Sequence, residues 1–390
     1  MRTSRALNFV ILLGIVSLFA DMTYEGARSA VGPFLGMLGA SAFAISAVSG
    51  GGELVGYGLR LWSGRLADRT HHCWAITFAG YALNLFAVPL LAFAGNWQVV
   101  AALVILERTG KALRTPARDA MLSYATKTTG RGWGFGLHEA LDQVGATVGP
   151  LVLTVVIAQN ADYRRGFAAL LVPALAALGT LALAWLLYPR PQDLEIPDVR
   201  LSTSAGFPKA YWVYLCGSAL VAAGYADYPL LAYHFGRAGT VSLAWIPALY
   251  ALAMGVDAIA AVIFGRWFDR SGVTVLVFST LVSAGFALFG FGARAEFAVL
   301  GTILWGIGMG AQESIMRAAI ADMTSPARRA TAYGVFNLAY GVAWFSGSAL
   351  MGWMYAHSIA GLMAFSVAAQ LLAIPCFIWA TRLRRADGLM

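Results

Sequence analysis

Apolar residues in this chain come in runs of about twenty or more, separated by short clusters of glycine, proline, asparagine and charge. A helix that crosses a bilayer needs roughly 20 mostly apolar residues. Twelve runs fit: 6–37, 42–66, 73–94, 97–120, 131–158, 165–188, 209–236, 241–267, 273–293, 297–321, 328–356 and 360–381. The first opens as a secretion signal does, with Arg2 and Arg5 ahead of an apolar stretch. That stretch continues past Asp21 without a small-residue cleavage site, so it is read as a span.

One long interruption stands out. Residues 189–208 hold four prolines, Asp193, Glu195, Asp198 and several small polar residues. They divide the chain into an N-terminal six-helix bundle (1–188), a cytoplasmic linker (189–208) and a C-terminal six-helix bundle (209–390). The expected fold is an all-α integral membrane protein with twelve transmembrane helices.

Composition agrees with the pattern. The 390 residues are 59% hydrophobic and 12% charged, with a mean hydropathy of +0.69. Soluble domains carry about 25% charge, so this chain lacks the polar residues needed to clothe a water-soluble enzyme of its length. Cys73, Cys216 and Cys376 are widely spaced and show no C-x-x-C motif, so no disulfide framework or metal site is expected. The pI of about 9.5 does not mark a nucleic-acid binder, because the basic residues are dispersed between apolar runs.

Those basic residues report orientation instead. With both termini cytoplasmic, 16 of the 27 Lys and Arg fall on the inner side, among them Arg65, Arg69, Arg266, Arg270 and Arg382. Four fall outside, Arg164, Arg165, Arg237 and Arg294. This bias predicts a multi-pass protein of the cytoplasmic (inner) membrane with both termini cytoplasmic. The other seven lie within spans.

The halves repeat. Gly64-Arg-Leu-Ala-Asp68-Arg69 follows the second span, and Gly265-Arg-Trp-Phe-Asp269-Arg270-Ser-Gly272 follows the eighth, 201 positions later. Arg131–Gly136 and Arg329–Gly334 match at an offset of 198. Parallel halves of this kind imply a two-fold axis along the membrane normal.

The G-x-L-A-D-R sequence at Gly64–Arg69 resembles the cytoplasmic loop signature of the major facilitator superfamily, with Gly265–Gly272 its weaker copy and with His71 and His72 where the family has glycine and a basic residue. Arg108 in the fourth span resembles the family's buried arginine there, with Ala112 in place of the usual glycine. Gly145-x-x-x-Gly149-Pro150 is similar to the motif of its antiporter branch, without the glycine pair that follows. The resemblance spans the whole chain. It implies alternating access, with Gly64, Asp68, Arg69, Gly265, Asp269 and Arg270 forming the cytoplasmic gate.

An ionisable group at the bilayer centre costs about 2.5–3.5 kcal/mol on insertion scales, so those inside spans are expected to face a partner or a water-filled cavity. Asp21, Glu25 and Arg28 share one helical face at i, i+4 and i+7. Glu53 and Arg60 share another in the second span. The fourth carries Glu107, Lys111, Arg114 and Arg118, with Arg108 turned aside, and the fifth His138, Glu139 and Asp142. The C-terminal half is sparser, with Asp227, Asp257, Glu313 and Arg317, and Trp245, Tyr250, Tyr340 and Trp344 are candidate aromatic walls.

Proton coupling needs a carboxylate whose proton affinity changes between access states; Asp21, Glu25, Glu139 and Asp142 have that chemistry. Arg28, Glu53, Arg60, Arg108, Lys111, Asp227, Asp257 and Glu313 are the expected substrate contacts, with arginine suited to carboxylate or phosphate. The chain is thus read as a monomeric secondary transporter of a small polar or charged organic solute, proton-coupled, with antiport and efflux favoured over symport of an organic anion. Its partners are that solute, protons and lipid, with no nucleic acid and no cofactor. Two further readings stand behind it. His138-Glu139-Ala-Leu-Asp142 falls one residue short of the H-E-x-x-H zinc motif of a metalloprotease, and a channel would need a single continuous pore.

Overall fold

The computed structural model describes residues 2–70, 72–129, 131–160, 162–194, 207–324 and 329–386. Within them some side chains fall outside the description, including those of Asp68, Asp269 and Arg317. Among the described residues there is no β-strand. The helices are α1 (Arg2–Met37), α2 (Ala42–Thr70), α3 (Cys73–Leu90), α4 (Trp97–Thr129), α5 (Arg131–Asn160), α6 (Tyr163–Ala169), α7 (Leu171–Leu187), α8 (Lys209–Gly224), α9 (Tyr228–Ala238), α10 (Ile246–Ser271), α11 (Thr274–Ser283), α12 (Phe286–Gly290), α13 (Ala295–Met323), α14 (Arg329–His357) and α15 (Ile359–Ala386). The pairs α6 and α7, α8 and α9, and α11 and α12 are single spans interrupted near their middles, so these helices make the twelve spans expected.

Seven of the spans are long and apolar enough to cross a bilayer by length and composition alone. Others, such as α2 and α4, carry the ionisable residues that lower their apolarity. The outward side chains suit lipid. Helix α7 exposes Val172, Leu175 and Leu186 and buries Ala174, Ala177, Leu181 and Ala184, a pattern in which small residues let helices approach closely.

Helix ends depart most from the sequence pattern. Helix α10 starts at Ile246 rather than near 241, because Gly239 ends α9 in the left-handed region at φ 65° and turns occupy the residues up to Trp245. Only glycine enters that conformation without strain. Helices α2, α4 and α15 run several residues past their apolar stretches, since hydrogen bonding continues a helix after it leaves the hydrocarbon.

The chain packs as two compact units. The first comprises Met1–Gly39, Val55–Val199 and Leu243–Ala251, and the second Ala40–Leu54, Arg200–Ser242 and Leu252–Met390.

In the first unit, glycine sets the crossing of α1 on α5. A Cβ on Gly145 would meet the backbone of Leu18 and, at 3.0 Å, the Cβ of Asp21; one on Gly149 would meet Met22. The Gly145-x-x-x-Gly149 spacing is therefore a packing seam that brings Asp21 of α1 beside the face of α5 carrying Asp142. A second seam joins α3 and α4, where Gly80 lies against the backbone of Arg114 and Gly110 against that of Asn84.

In the second unit the break between α8 and α9 frees carbonyls in mid-span. Ser366 Oγ donates to Gly224 O at 2.6 Å, and Trp305 Nε1 donates to Ala226 O at 2.9 Å. A broken helix is tolerated at membrane depth where neighbours satisfy its backbone in this way. Pro229 occupies the first turn of α9, where its missing N–H costs nothing.

Candidate functional site: a buried acid and base cluster

The ionisable residues of the first unit converge. On α1, Asp21 and Glu25 are each 7% exposed, and Arg28 lies one turn beyond, so the face expected from the spacing is the inward one. Helix α4 meets it with Glu107, Arg108, Lys111, Arg114 and Arg118, and α5 with His138 and Asp142.

Glu25 is the centre of this set. Its Oε1 lies 3.9 Å from Arg28 Nη1 and 3.8 Å from Lys111 Nζ, while Tyr250 of α10 donates its hydroxyl to Oε2 at 2.5 Å. One carboxylate thus takes a cation from its own helix, a cation from α4 and a phenol from α10. Asp21 accepts the hydroxyl of Tyr24. The ring of Tyr24 in turn carries Lys111 Nζ at 4.0 Å from its centroid and Arg114 Cζ at 5.7 Å. Cation–π contacts desolvated in this way are worth about 2 kcal/mol, and here they link the Asp21 and Glu25 sites through one ring.

Arg114 is 1% exposed and stacks on Tyr81 at 4.2 Å. Its Nε and Nη1 are buried without a hydrogen-bond partner among the described residues. Arg108 reaches Glu107 at 3.2 Å, and Asn84 of α3 donates to the same carboxylate at 2.6 Å. One turn nearer the N-terminus of α1, Arg118 donates to Ser17 Oγ at 2.9 Å, Ser17 Oγ lies 3.0 Å from His138 Nε2, and His138 Nδ1 lies 3.5 Å from Asp142 Oδ2. Asp142 Oδ1 is buried with no hydrogen-bond partner among the described residues.

Other expected site residues lie elsewhere. Glu139 is exposed on α5, turned about 100° from His138 by the helical step. Arg60 sits over the ring of Tyr57 at 5.2 Å, within the first unit, whereas Glu53 belongs to the second. In the second unit Asp227 and Asp257 are buried at 2% and 1% exposure, and Glu313 is exposed. Asp227 precedes α9 at the broken span, and the backbone of Asp257 packs against Gly310 of α13. Of the loop-motif residues, Arg69 and Arg270 are exposed, Gly64 lies near Pro116 and Gly265 in open space. The gate assignment of Asp68 and Asp269 falls on side chains outside the description.

Neutral residues that the charge pattern did not single out complete the cluster: Ser17, Tyr24, Tyr81 and Asn84. Within an apolar helix such residues leave no periodic signal, and only the convergence of α1, α3, α4 and α5 shows their role. Of the candidate aromatics, Tyr340 donates to Gln312 Oε1 at 2.5 Å and stands 5.8 Å from Trp344, while Trp245 is exposed. The near-zinc motif resolves into the His138–Asp142 pair. Among the described residues no three or more His, Cys, Asp or Glu gather as a metal site would require.

Twelve helical spans with lipid-facing apolar surfaces and a charged interior define an integral multi-pass membrane protein. The Major Facilitator Superfamily profile matches residues 12–226 and 210–388, and the chain belongs to that superfamily as a secondary transporter. It is 42% identical over 386 residues to an uncharacterized protein of Mycobacterium tuberculosis, covering 97% of this chain and 94% of that one. It is 27% identical over 363 residues to an uncharacterized MFS-type transporter of Methanocaldococcus jannaschii, covering 89% and 88%. Among solved structures, a peptide transporter POT in complex with sulfate superimposes with a TM-score of 0.78 at 16% identity, over 98% of this chain and 95% of that one. A bacterial homolog to the human lysosomal transporter Spinster, inward-facing and occupied, gives 0.77 at 15% identity, over 97% of each chain. At such identities the likeness is one of fold.

Proposed function

We propose that this transporter moves a small polar or charged organic solute across the cytoplasmic membrane by alternating access, in exchange for protons, with export as the favoured direction. The observation that carries the reading is the environment of Glu25. A buried carboxylate held by Arg28, Lys111 and Tyr250 changes its proton affinity when any of those partners moves away, and a transport cycle supplies that movement. Asp21 and Asp142 extend the coupling set along α1 and α5, and Glu139 is its exposed member. Arg28, Arg108 and Lys111 are the proposed contacts for an anionic group. Arg60, Glu53, Asp227, Asp257 and Glu313 are the remaining proposed solute contacts.

The proposal includes both termini in the cytoplasm, a six-plus-six division about residues 189–208, a working monomer and a cytoplasmic gate at Gly64, Asp68, Arg69, Gly265, Asp269 and Arg270. Import of an organic anion with protons is the second reading, and the buried cations Arg108 and Arg114 with the partly buried Lys111 support it.

The test is a screen of solutes by thermal stabilisation, followed by counterflow in proteoliposomes with and without a pH gradient. Antiport is supported if an inward-directed proton gradient drives the solute out. Flux that is linear in concentration and never saturates overturns carrier transport in favour of a channel.

A further inference from the structure

His138 has no part in the coupling or substrate sets, yet it is 3% exposed and both ring nitrogens face polar atoms. Nε2 meets Ser17 Oγ on α1 at 3.0 Å, and Nδ1 meets Asp142 Oδ2 on its own helix at 3.5 Å. Ser17 is fully buried, and its Oγ accepts a hydrogen bond from Arg118 Nη1 of α4 at 2.9 Å. Arg118 is fixed in turn by Asp119 Oδ1 at 2.9 and 2.8 Å. The charged groups facing this chain are Asp21 on α1, Arg114 and Arg118 on α4, and Asp142 on α5, with Glu139 exposed beside it.

The hydrogen-bond inventory of imidazole gives this chain two states. When Asp142 is ionised, a lone pair on Nδ1 would face a carboxylate, so Nδ1 carries the ring proton and Nε2 accepts from the Ser17 hydroxyl. Now let one proton arrive from a hydronium ion. It bonds to Nε2, and the hydronium becomes water. Either the ring stays cationic, or the Nδ1–H bond breaks as an Oδ2–H bond forms on Asp142. In both outcomes Nε2 bears hydrogen and donates to Ser17 Oγ. Ser17 then accepts from both His138 and Arg118, and its own hydroxyl proton must turn to another acceptor. A helical serine finds one in the carbonyl a turn earlier, a bond that bends helices.

The geometry points to His138 as the residue that transmits proton uptake at Asp142 to α1 and α4, by reversing the direction of its hydrogen bond to Ser17. His138 is a positioning residue in this role and need not touch the solute. The inference rests on the proton-coupled reading above, and it names which neighbours register the proton.

The test uses the full-length protein in lipid vesicles, with the proton as the only ligand. Nitrogen NMR of histidine-labelled protein reports the His138 tautomer, assigned with His138→Gln, and infrared difference spectra report the Asp142 carboxyl, assigned with Asp142→Asn. Both are followed across about pH 5 to 8, the range of histidine titration. The expected result is that hydrogen on Nε2 and the state of Asp142 change with one midpoint. His138→Gln should move the Asp142 midpoint by about one pH unit or more, and Ser17→Ala, which leaves the histidine in place, should move it in the same sense by less.

A carboxyl that titrates with an unchanged midpoint in both variants overturns the role of His138 and leaves Asp142 in the coupling set. A carboxyl that does not titrate in this range removes Asp142 from that set, and His138 with it. Should His138→Gln fail to fold, Ser17→Ala carries the test alone, through the midpoint of the Asp142 carboxyl.

Discussion

The phenol of Tyr250 donates to Glu25 Oε2 at 2.5 Å, tying α10 to α1 within the first compact unit. Hydrogen bonds to buried charged groups are worth about 1.5–3 kcal/mol. Tyr250→Phe is therefore expected to weaken the arrangement described and to favour any state in which Glu25 is released, by roughly tenfold at 1.4 kcal/mol. Flux measured against pH checks this. The variant should shift the pH dependence, whereas Trp245→Phe, at an exposed position nearby, should not.

Glycine at the α1–α5 seam carries a second expectation. A methyl group on Gly145 or Gly149 would press on the backbone of Leu18 or Met22, and overpacking of this kind costs typically 1–3 kcal/mol. Gly145→Ala and Gly149→Ala should lower the thermal midpoint in detergent and separate Asp21 from the α5 face. Gly56→Ala and Gly58→Ala, where an added Cβ would meet nothing within 4 Å, are the controls and should leave it near wild type.

The broken span of the second unit depends on Trp305. Trp305→Phe keeps a ring but removes the donor to Ala226 O, leaving a buried carbonyl unsatisfied at a cost of about 1–3 kcal/mol. Thermal unfolding of the purified variant should show that loss, and Trp212→Phe, at an exposed position on α8, should not.

At the proposed gate, near the C-terminal ends of α2 and α10, Asp68→Asn and Asp269→Asn are expected to slow turnover without abolishing solute binding. Wild-type transport in both variants removes the gate assignment.

Much of this architecture is legible in the sequence, because lipid imposes a length and an apolarity on each span that survive any detail of packing. The face formed by Asp21, Glu25 and Arg28 is legible for a related reason: charge is so costly in hydrocarbon that its helical spacing reveals the inward side. The same logic does not reach Tyr24, Ser17 or Asn84, whose neutral polar groups are inexpensive enough to sit anywhere. Nor does it separate Glu139 from Asp142, which lie three residues apart yet differ in exposure. The breaks at Leu170, Tyr225–Asp227 and Ala284–Gly285 interrupt the regular helix without lowering the average hydropathy enough to end the span, so hydropathy passes over them.

The most direct test of the account is solute flux in proteoliposomes under an imposed pH gradient, comparing wild type with Glu25→Gln and Asp142→Asn. The account predicts that the gradient drives net flux in the wild type, and that at least one substitution leaves solute exchange intact while removing the response to the gradient. Gradient-driven flux unchanged in both variants would contradict it.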